Sequence, residues 1–151
     1  MTAAWLAAEL VPAADRDAAP GTALRLAASR CSACDRCSFP PTGTCTWCGA
    51  TGSDPEQLSD GTAVAATAVL HRTPGAVVEV PYVVALVRFA QAGLDVLGRV
   101  PGAADPAAVP PGTPLRVVAD SLPDGRMHYA FAAPPDRVRR WRVSSCHPDL
   151  R

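Results

Sequence analysis

The sequence predicts a mainly β protein in which a short leader and a small metal-binding unit precede an antiparallel barrel. Two features support this fold class. One is a pair of C-x-x-C motifs between Cys31 and Cys48, and the other is a series of short apolar segments after Gly61. These segments are bounded by Gly, Pro or Asp, and none has the length or period of an α-helix.

The four cysteines of the two motifs form the predicted metal site. Ten residues separate the first pair, Cys31 and Cys34, from the second pair, Cys45 and Cys48. Two intervening residues let one tight turn direct both sulfurs of a pair to the same point, and two such turns supply the four thiolates of a tetrahedral zinc ion. Gly49 follows the second pair, where such a turn often needs positive φ, and Asp35 follows the first. A structural zinc ribbon is therefore predicted.

Other uses of these cysteines remain open at this stage. A rubredoxin-like iron site would use the same four ligands, whereas a disulfide framework is disfavoured without a secretory segment. A redox C-x-x-C motif usually occurs once rather than in duplicate. Cys37 extends the first motif to C-x-x-C-x-x-C, and only the matching spacing of the second motif favours Cys34 over it. A site closed by four thiolates has no open position, so we assign it no catalysis.

Composition limits the classes of partner. The chain has 14 basic residues, all of them arginine, and 14 acidic residues, so its formal net charge is zero. A neutral chain lacks the general electrostatic attraction to nucleic acids and anionic membranes. No apolar run approaches the roughly 18 residues of a membrane span, and the first residues do not resemble a signal peptide. We therefore expect a cytoplasmic protein in which the thiols stay reduced.

Residues 1–60 divide into a leader and the metal-binding unit. In residues 1–21, Thr2 is expected to cap a short helix that Pro12 ends, followed by a connector. Residues 22–60 form the predicted ribbon: 22–30 is a strand or an extended lead-in, and 50–60 is a loop of small, polar and acidic residues.

Residues 61–133 form the predicted barrel. Its five strands are expected at 62–70, 82–90, 94–100, 115–120 and 126–132, with a longer connection without a convincing helix after the third. This outline is typical of the five-stranded oligonucleotide/oligosaccharide-binding (OB) barrel, with a small sandwich as the alternative. Gly98 suits a sharp bend in a barrel strand. Residues 134–151 form a basic, peripheral tail.

The second barrel strand is apolar on both faces. Val83, Val87 and Phe89 alternate with Val84 and Leu86. A small barrel can bury only one face of such a strand internally, so the other face must be covered from outside. If the ribbon or leader covers it only in part, the remaining apolar patch would mark a partner site.

Four stretches give the chain a family resemblance. They are RCSACDRCSFPPTGTCTWCG, SDGTAVAATAVLHRTPG, VPYVVALVRFAQAGLDVLGRV and PGTPLRVVAD, in that order. With them the chain resembles the DUF35 family of rubredoxin-like zinc-ribbon and OB-fold proteins over about residues 22–133. The resemblance implies an accessory subunit of a thiolase-superfamily enzyme that acts on acyl-CoA or acyl-carrier substrates, in a heterotetramer with two copies of each chain.

The site residues are consistent with a binding role. No nucleophile with a matching histidine and acid is evident, so we expect no catalytic residue and no activity of the chain alone. If acyl-CoA phosphates contact the barrel, Arg72, Arg88 and Arg99 are the predicted arginines, because a planar guanidinium matches phosphate oxygens. The alternative function is a nucleic-acid-binding zinc-ribbon protein, which the neutral charge and the few aromatics disfavour.

Overall fold

A computed structural model describes residues 4–135 and contains two antiparallel sheets. The strands are β1 (Leu26–Cys31), β2 (Cys37–Ser38), β3 (Ser53–Leu58), β4 (Asp60–Val69), β5 (Tyr82–Phe89), β6 (Leu94–Arg99), β7 (Pro114–Ser121) and β8 (Met127–Ala132). The ribbon sheet has the order β2-β1-β3, and the barrel sheet has the order β6-β5-β4-β7-β8. The mainly β fold class is thereby confirmed, and no helix within residues 4–135 is long and apolar enough to cross a bilayer.

The ribbon sheet corrects one prediction. Residues 50–60 were expected to form a loop, but β3 runs from Ser53 to Leu58 and pairs with all of β1. Apart from Leu58, which is fully buried, its side chains are exposed or half-buried. Because β3 is an edge strand, it tolerates Pro55 and the acidic residues Asp54 and Glu56, which conceals the strand in the sequence.

The barrel sheet closes almost completely. β4 pairs with β5 along its length and with the start of β7, while β8 approaches β6 on the far side. The Tyr129 hydroxyl donates a hydrogen bond of 2.7 Å to the backbone oxygen of Leu97 across this closure. All five predicted strand positions are confirmed within one or two residues, and the strand order is that of an OB barrel.

Gly98 lies where β6 meets β8. A Cβ added at Gly98 would lie 2.5 Å from Cε2 of Phe131 and 3.0 Å from Cε2 of Tyr129. The sequence predicted a bend at this glycine. The structure shows that the missing side chain makes room for two aromatic rings of the barrel core.

The leader has 3-10 turns in place of the predicted helix. Its turns span Ala8–Leu10 and Ala13–Asp15, and Thr2 lies outside the described residues. The leader instead pairs with the barrel: Leu6 N–H donates to Met127 O at 2.9 Å, and Met127 N–H donates to Ala4 O at 2.8 Å. Trp5 Nε1 also donates to Arg16 O at 2.7 Å. These tertiary contacts favour an extended backbone over an isolated short helix, which is marginal in water.

The ribbon and the barrel share one hydrophobic core. Leu26 of β1 and Leu58 of β3 are fully buried in the same cluster as Val87 and Phe131 of the barrel. Ser59 alone separates β3 from β4, and its backbone oxygen accepts a hydrogen bond of 2.8 Å from Val117 N–H. The base of the ribbon is therefore held against the barrel by both packing and backbone bonds.

Candidate metal centre and exposed apolar surface

The first cysteine turn begins at the end of β1. Cys31 N–H donates to Arg36 O at 2.9 Å, and Asp35 N–H donates to Cys31 O at 2.9 Å. Asp35 adopts the predicted positive φ, at 61°. Aspartate tolerates this left-handed conformation better than most residues with a side chain, so the turn can close and direct Cys31 and Cys34 inward.

The second cysteine turn repeats this geometry. Cys45 N–H donates to Ala50 O at 2.9 Å, and Gly49 N–H donates to Cys45 O at 3.0 Å. Gly49 has a φ of 74°, as predicted. Glycine adopts this conformation without steric cost. Because the backbone bonds of the two turns are equivalent, Cys45 and Cys48 are placed in the same way as Cys31 and Cys34.

The two turns bring the four predicted thiols together. The Sγ atoms of Cys31, Cys34, Cys45 and Cys48 all lie within 4.8 Å of one another. Cys31 and Cys48 are separated by 3.7 Å between sulfurs, and Cys34 and Cys45 by 3.6 Å. Tetrahedral ligands on metal–sulfur bonds of about 2.3 Å would lie about 3.8 Å apart. The four side chains therefore fit a tetrahedral metal ion and leave it no open coordination position.

Backbone N–H donors stabilise the thiolate form of Cys45. Hydrogen bonds from the N–H groups of Cys48 and Trp47 lower the pKa of Cys45 to about 6, and the Trp47 nitrogen lies 3.4 Å from Cys45 Sγ. The Arg36 N–H also lowers the pKa of Cys34, but burial and the neighbouring thiols outweigh it and raise that pKa to about 12. These opposite shifts favour the thiolate at Cys45 over the thiolate at Cys34, and a bound metal favours the thiolate form of its ligands.

Cys37 belongs to the core rather than to the thiol cluster. It is buried in β2 and is part of the hydrophobic core shared by ribbon and barrel. Burial raises the pKa of its thiol, as expected for an inert structural cysteine. Cys146 lies outside the described residues.

The three predicted phosphate-binding arginines are each bound to a carboxylate. Arg72 pairs with Glu79, Arg88 with Asp95, and Arg99 with Asp120. Arg88 makes two parallel bonds, of 2.8 and 2.7 Å, to the two oxygens of Asp95. Arg88 and Arg99 lie on opposite ends of the β5–β6 pair, and Arg72 lies in the connection after β4. The structure does not gather these arginines into one cationic pocket.

The outer face of β5 and β6 carries an apolar patch. The inward residues of β5, from Val83 to Phe89, are fully buried, whereas Val84 and Leu86 on the outer face are half-buried. Leu86 lies directly opposite Leu97 of β6, which is 58% exposed. We call Val84, Leu86 and Leu97 the outer patch. This agrees with the prediction that β5 is apolar on both faces.

Two ion pairs border the outer patch. On one side of the Leu86–Leu97 row, Arg88 and Asp95 lie opposite each other; on the other side, Arg99 lies opposite Val84 and pairs with Asp120. An apolar centre with a polar rim is the usual anatomy of a protein–protein interface.

Trp47 is a surface feature that the sequence analysis missed. Its side chain, between Cys45 and Cys48, is 62% exposed, and the Arg36 guanidinium carbon lies 4.7 Å from the centre of its ring. The pair lines a cleft of about 410 Å³ together with Gln91 to Gly93, the turn between β5 and β6. A tryptophan within a C-x-x-C turn has little room to reach the core. Its position between Cys45 and Cys48 could therefore have indicated an exposed side chain.

Comparisons with known proteins support one family. Residues 55–120 match the model of the C-terminal OB-fold domain of ChsH2. A solved chain described as "Ltp2-ChsH2(DUF35) aldolase" shares the fold with a TM-score of 0.59 and 27% sequence identity. That match covers 72% of this chain and 84% of the solved chain. A search of curated proteins finds no match.

Proposed function

We propose that this chain, a member of the DUF35 family on the evidence of both matches, is a non-catalytic accessory subunit of a thiolase-superfamily enzyme. The observation that carries the proposal is the likeness to a chain from an aldolase whose description pairs Ltp2 with ChsH2. The outer patch supplies a physical reason for such pairing, because a surface strand with two apolar faces is stabilised when a partner covers the second face.

The thiol cluster supports a structural zinc ion in this proposal. Four sulfurs at tetrahedral spacing suit the soft ligand set of zinc, which iron can share. When bound, the ion cross-links the two cysteine turns. The residues of the chain fix the position of Trp47 beside the β5–β6 turn and hold the ribbon against the barrel.

The partner surface that we infer combines the outer patch with Trp47. Both features lie at the hairpin of β5 and β6: the outer patch lies on its two strands, and the Trp47 cleft lies at the turn between them. Buried tryptophans and arginines contribute a large share of the binding energy at protein interfaces. Trp47 with Arg36 is therefore the proposed anchor, and Leu97 is the proposed centre of the apolar contact.

Acyl-CoA contact and stoichiometry are also part of the proposal. Two copies of each chain around a partner dimer follow from the family resemblance. A phosphate bound by Arg72, Arg88 or Arg99 would have to compete with the carboxylate that each arginine already binds. Contact through these arginines is therefore expected only where the partner offers further groups that donate hydrogen bonds to the phosphate.

The direct test is reconstitution with a thiolase-superfamily protein whose gene adjoins that of this chain, where the family resemblance leads us to expect the partner. We expect the acyl-CoA activity to require the partner's active site, and the chain alone to show none. Adding the chain should raise the partner's activity or its soluble yield. If the partner's activity and soluble yield do not change, and the two proteins do not co-purify from co-expressing cells, the proposal is contradicted.

A further inference from the structure

A cavity of about 360 Å³ opens at one end of the barrel, beneath the connection between β6 and β7. Val100, Val109 and Leu115 are buried and form its floor, while Ala103, Ala104 and Ala108 line its wall. Among the described residues 4–135, no charged side chain lines it, and Thr113 contributes the single hydroxyl. That hydroxyl donates its proton to Pro110 O at 2.6 Å, so the cavity offers little to a polar ligand.

Small side chains of the connection between β6 and β7 line the cavity. The connection contains only a 3-10 turn at Pro106–Ala108, which the Asp105 carboxylate caps by accepting a bond of 2.8 Å from Ala107 N–H. A turn this short presents alanines to the barrel end. The core therefore stops short of filling this end of the barrel.

Backbone bonds fix the frame of the cavity on both sides. Gly112 N–H donates to Ala63 O, and Ala63 N–H donates to Thr113 O, each at 2.8 Å. On the other side, Val100 N–H donates to Val83 O at 2.9 Å. The connection is thus attached to the barrel at both ends, so the cavity is largely formed before any ligand arrives.

We infer that this cavity binds the aliphatic chain of a small molecule. Its volume lies at the lower end of the range of about 300–1,000 Å³ for ligand pockets. It is also more than twice the cavity of about 150 Å³ that holds one benzene in an engineered protein core. A linear or branched chain of about eight carbons therefore suits its size. Because the lining is apolar apart from the Thr113 hydroxyl, it favours a hydrocarbon chain over a polar ligand.

This binding site is independent of the proposed partner. The aliphatic chain could be that of a free alcohol or acid, or the acyl group of a thioester, and both sources present the same hydrocarbon to the lining. Titration with each kind of ligand distinguishes these sources, and the outcome does not depend on whether a thiolase-superfamily protein binds the outer patch.

The experiment uses the full-length chain, in the assembly in which it purifies, with labelled Ala, Val and Leu methyl groups. Titration with 1-octanol should give saturable NMR shifts at the methyls of Val100, Val109 and Leu115. Ala108→Phe and Ala104→Phe both place a ring in the cavity and should weaken this binding at least tenfold. Ala107→Phe is the matched control, because Ala107 is exposed on the same turn and does not line the cavity. It should change the affinity less than twofold.

Parallel titrations with octanoyl-CoA and CoA identify the source of the chain. Shifts of the same methyls with octanoyl-CoA but not with CoA assign the site to an acyl thioester, and shifts with 1-octanol alone assign it to a free aliphatic molecule. Absence of saturable shifts at these methyls with every probe would overturn the inference. If Ala108→Phe and Ala104→Phe both keep native-like spectra and bind 1-octanol as tightly as the unmodified chain, the inference is overturned as well.

Discussion

Gly98 and Phe131 meet across the closure of the barrel, where a Cβ on Gly98 would lie 2.5 Å from the Phe131 ring. Phe131 is fully buried and cannot move aside without displacing Phe89, whose ring centre is 6.2 Å away. Overpacking a rigid core costs about 1–3 kcal/mol. We therefore predict that Gly98→Ala lowers the free energy of unfolding by about 2 kcal/mol in urea titrations.

Gly43 provides the matched control for Gly98. It has no heavy atom within 4 Å of an added Cβ and no positive φ. Gly43→Ala should leave the free energy of unfolding unchanged or slightly raised. Equal effects of the two substitutions would show that the approach of β6 to β8 does not limit the side chain at position 98.

Cys45→Ser should remove the metal and unfold the ribbon. Because metal binding and ribbon folding are coupled, the variant should lose stoichiometric metal in elemental analysis and show increased proteolysis between β1 and β3. Cys37→Ala should retain one metal per chain, since Cys37 lies outside the thiol cluster. Loss of metal from Cys37→Ala, with retention in Cys34→Ala, would reverse the assignment of the ligand.

His128 should make stability depend on pH. Its ring is half-buried and stacked on Tyr129, with ring centres 4.6 Å apart, and burial lowers its pKa. The folded state therefore disfavours the protonated ring, whereas the unfolded chain titrates near the ordinary value of about 6.5. The contribution to stability is fully present above that pH and is lost as the pH falls below it.

The pH dependence can be isolated with one variant. Urea unfolding of metal-saturated protein at pH 7.5, 6.5 and 5.5, with metal content measured at each pH, should show a decline that His128→Gln reduces. The carboxylates with lowered pKa, such as Asp15 and Asp95, lose their contribution only nearer pH 4. A decline that persists in full in His128→Gln would contradict this origin.

Sequence reasoning located the strands of the barrel because their sequence pattern is strong. Alternation and turn residues identified β5 and β6, and the two apolar faces of β5 indicated the outer patch. The metal ligands were equally accessible, because C-x-x-C spacing encodes a local turn geometry that needs little tertiary context.

The missed features depend on contacts that are distant in sequence. β3 exists because it pairs with β1, although its own residues, with Pro55 among them, have low strand propensity. The leader is extended because Ala4 and Leu6 pair with Met127, more than 120 residues away. The end cavity arises from the connection after β6, the start of β7 and the end of β8 together, so no single stretch of sequence predicts it.

Leu97→Asp should weaken partner binding without unfolding the barrel. An aspartate at the centre of the proposed interface would be desolvated without a partner charge, which is strongly unfavourable. We expect at least a tenfold loss of affinity for the thiolase-superfamily protein. Leu6→Asp is the control, because Leu6 is also exposed but lies on the leader, beside Met127 of β8, and is not a residue of the outer patch. Equal losses in both variants would place the interface elsewhere.

The most direct test of the proposed function is the molar mass of the complex that the chain forms with the proposed partner, a thiolase-superfamily protein from an adjacent gene. Light scattering on the co-expressed, co-purified sample should give a partner dimer plus two chains of 15.6 kDa, while the chain expressed alone should be poorly soluble or self-associated. A stable monomer of 15.6 kDa with no affinity for that protein would contradict the account.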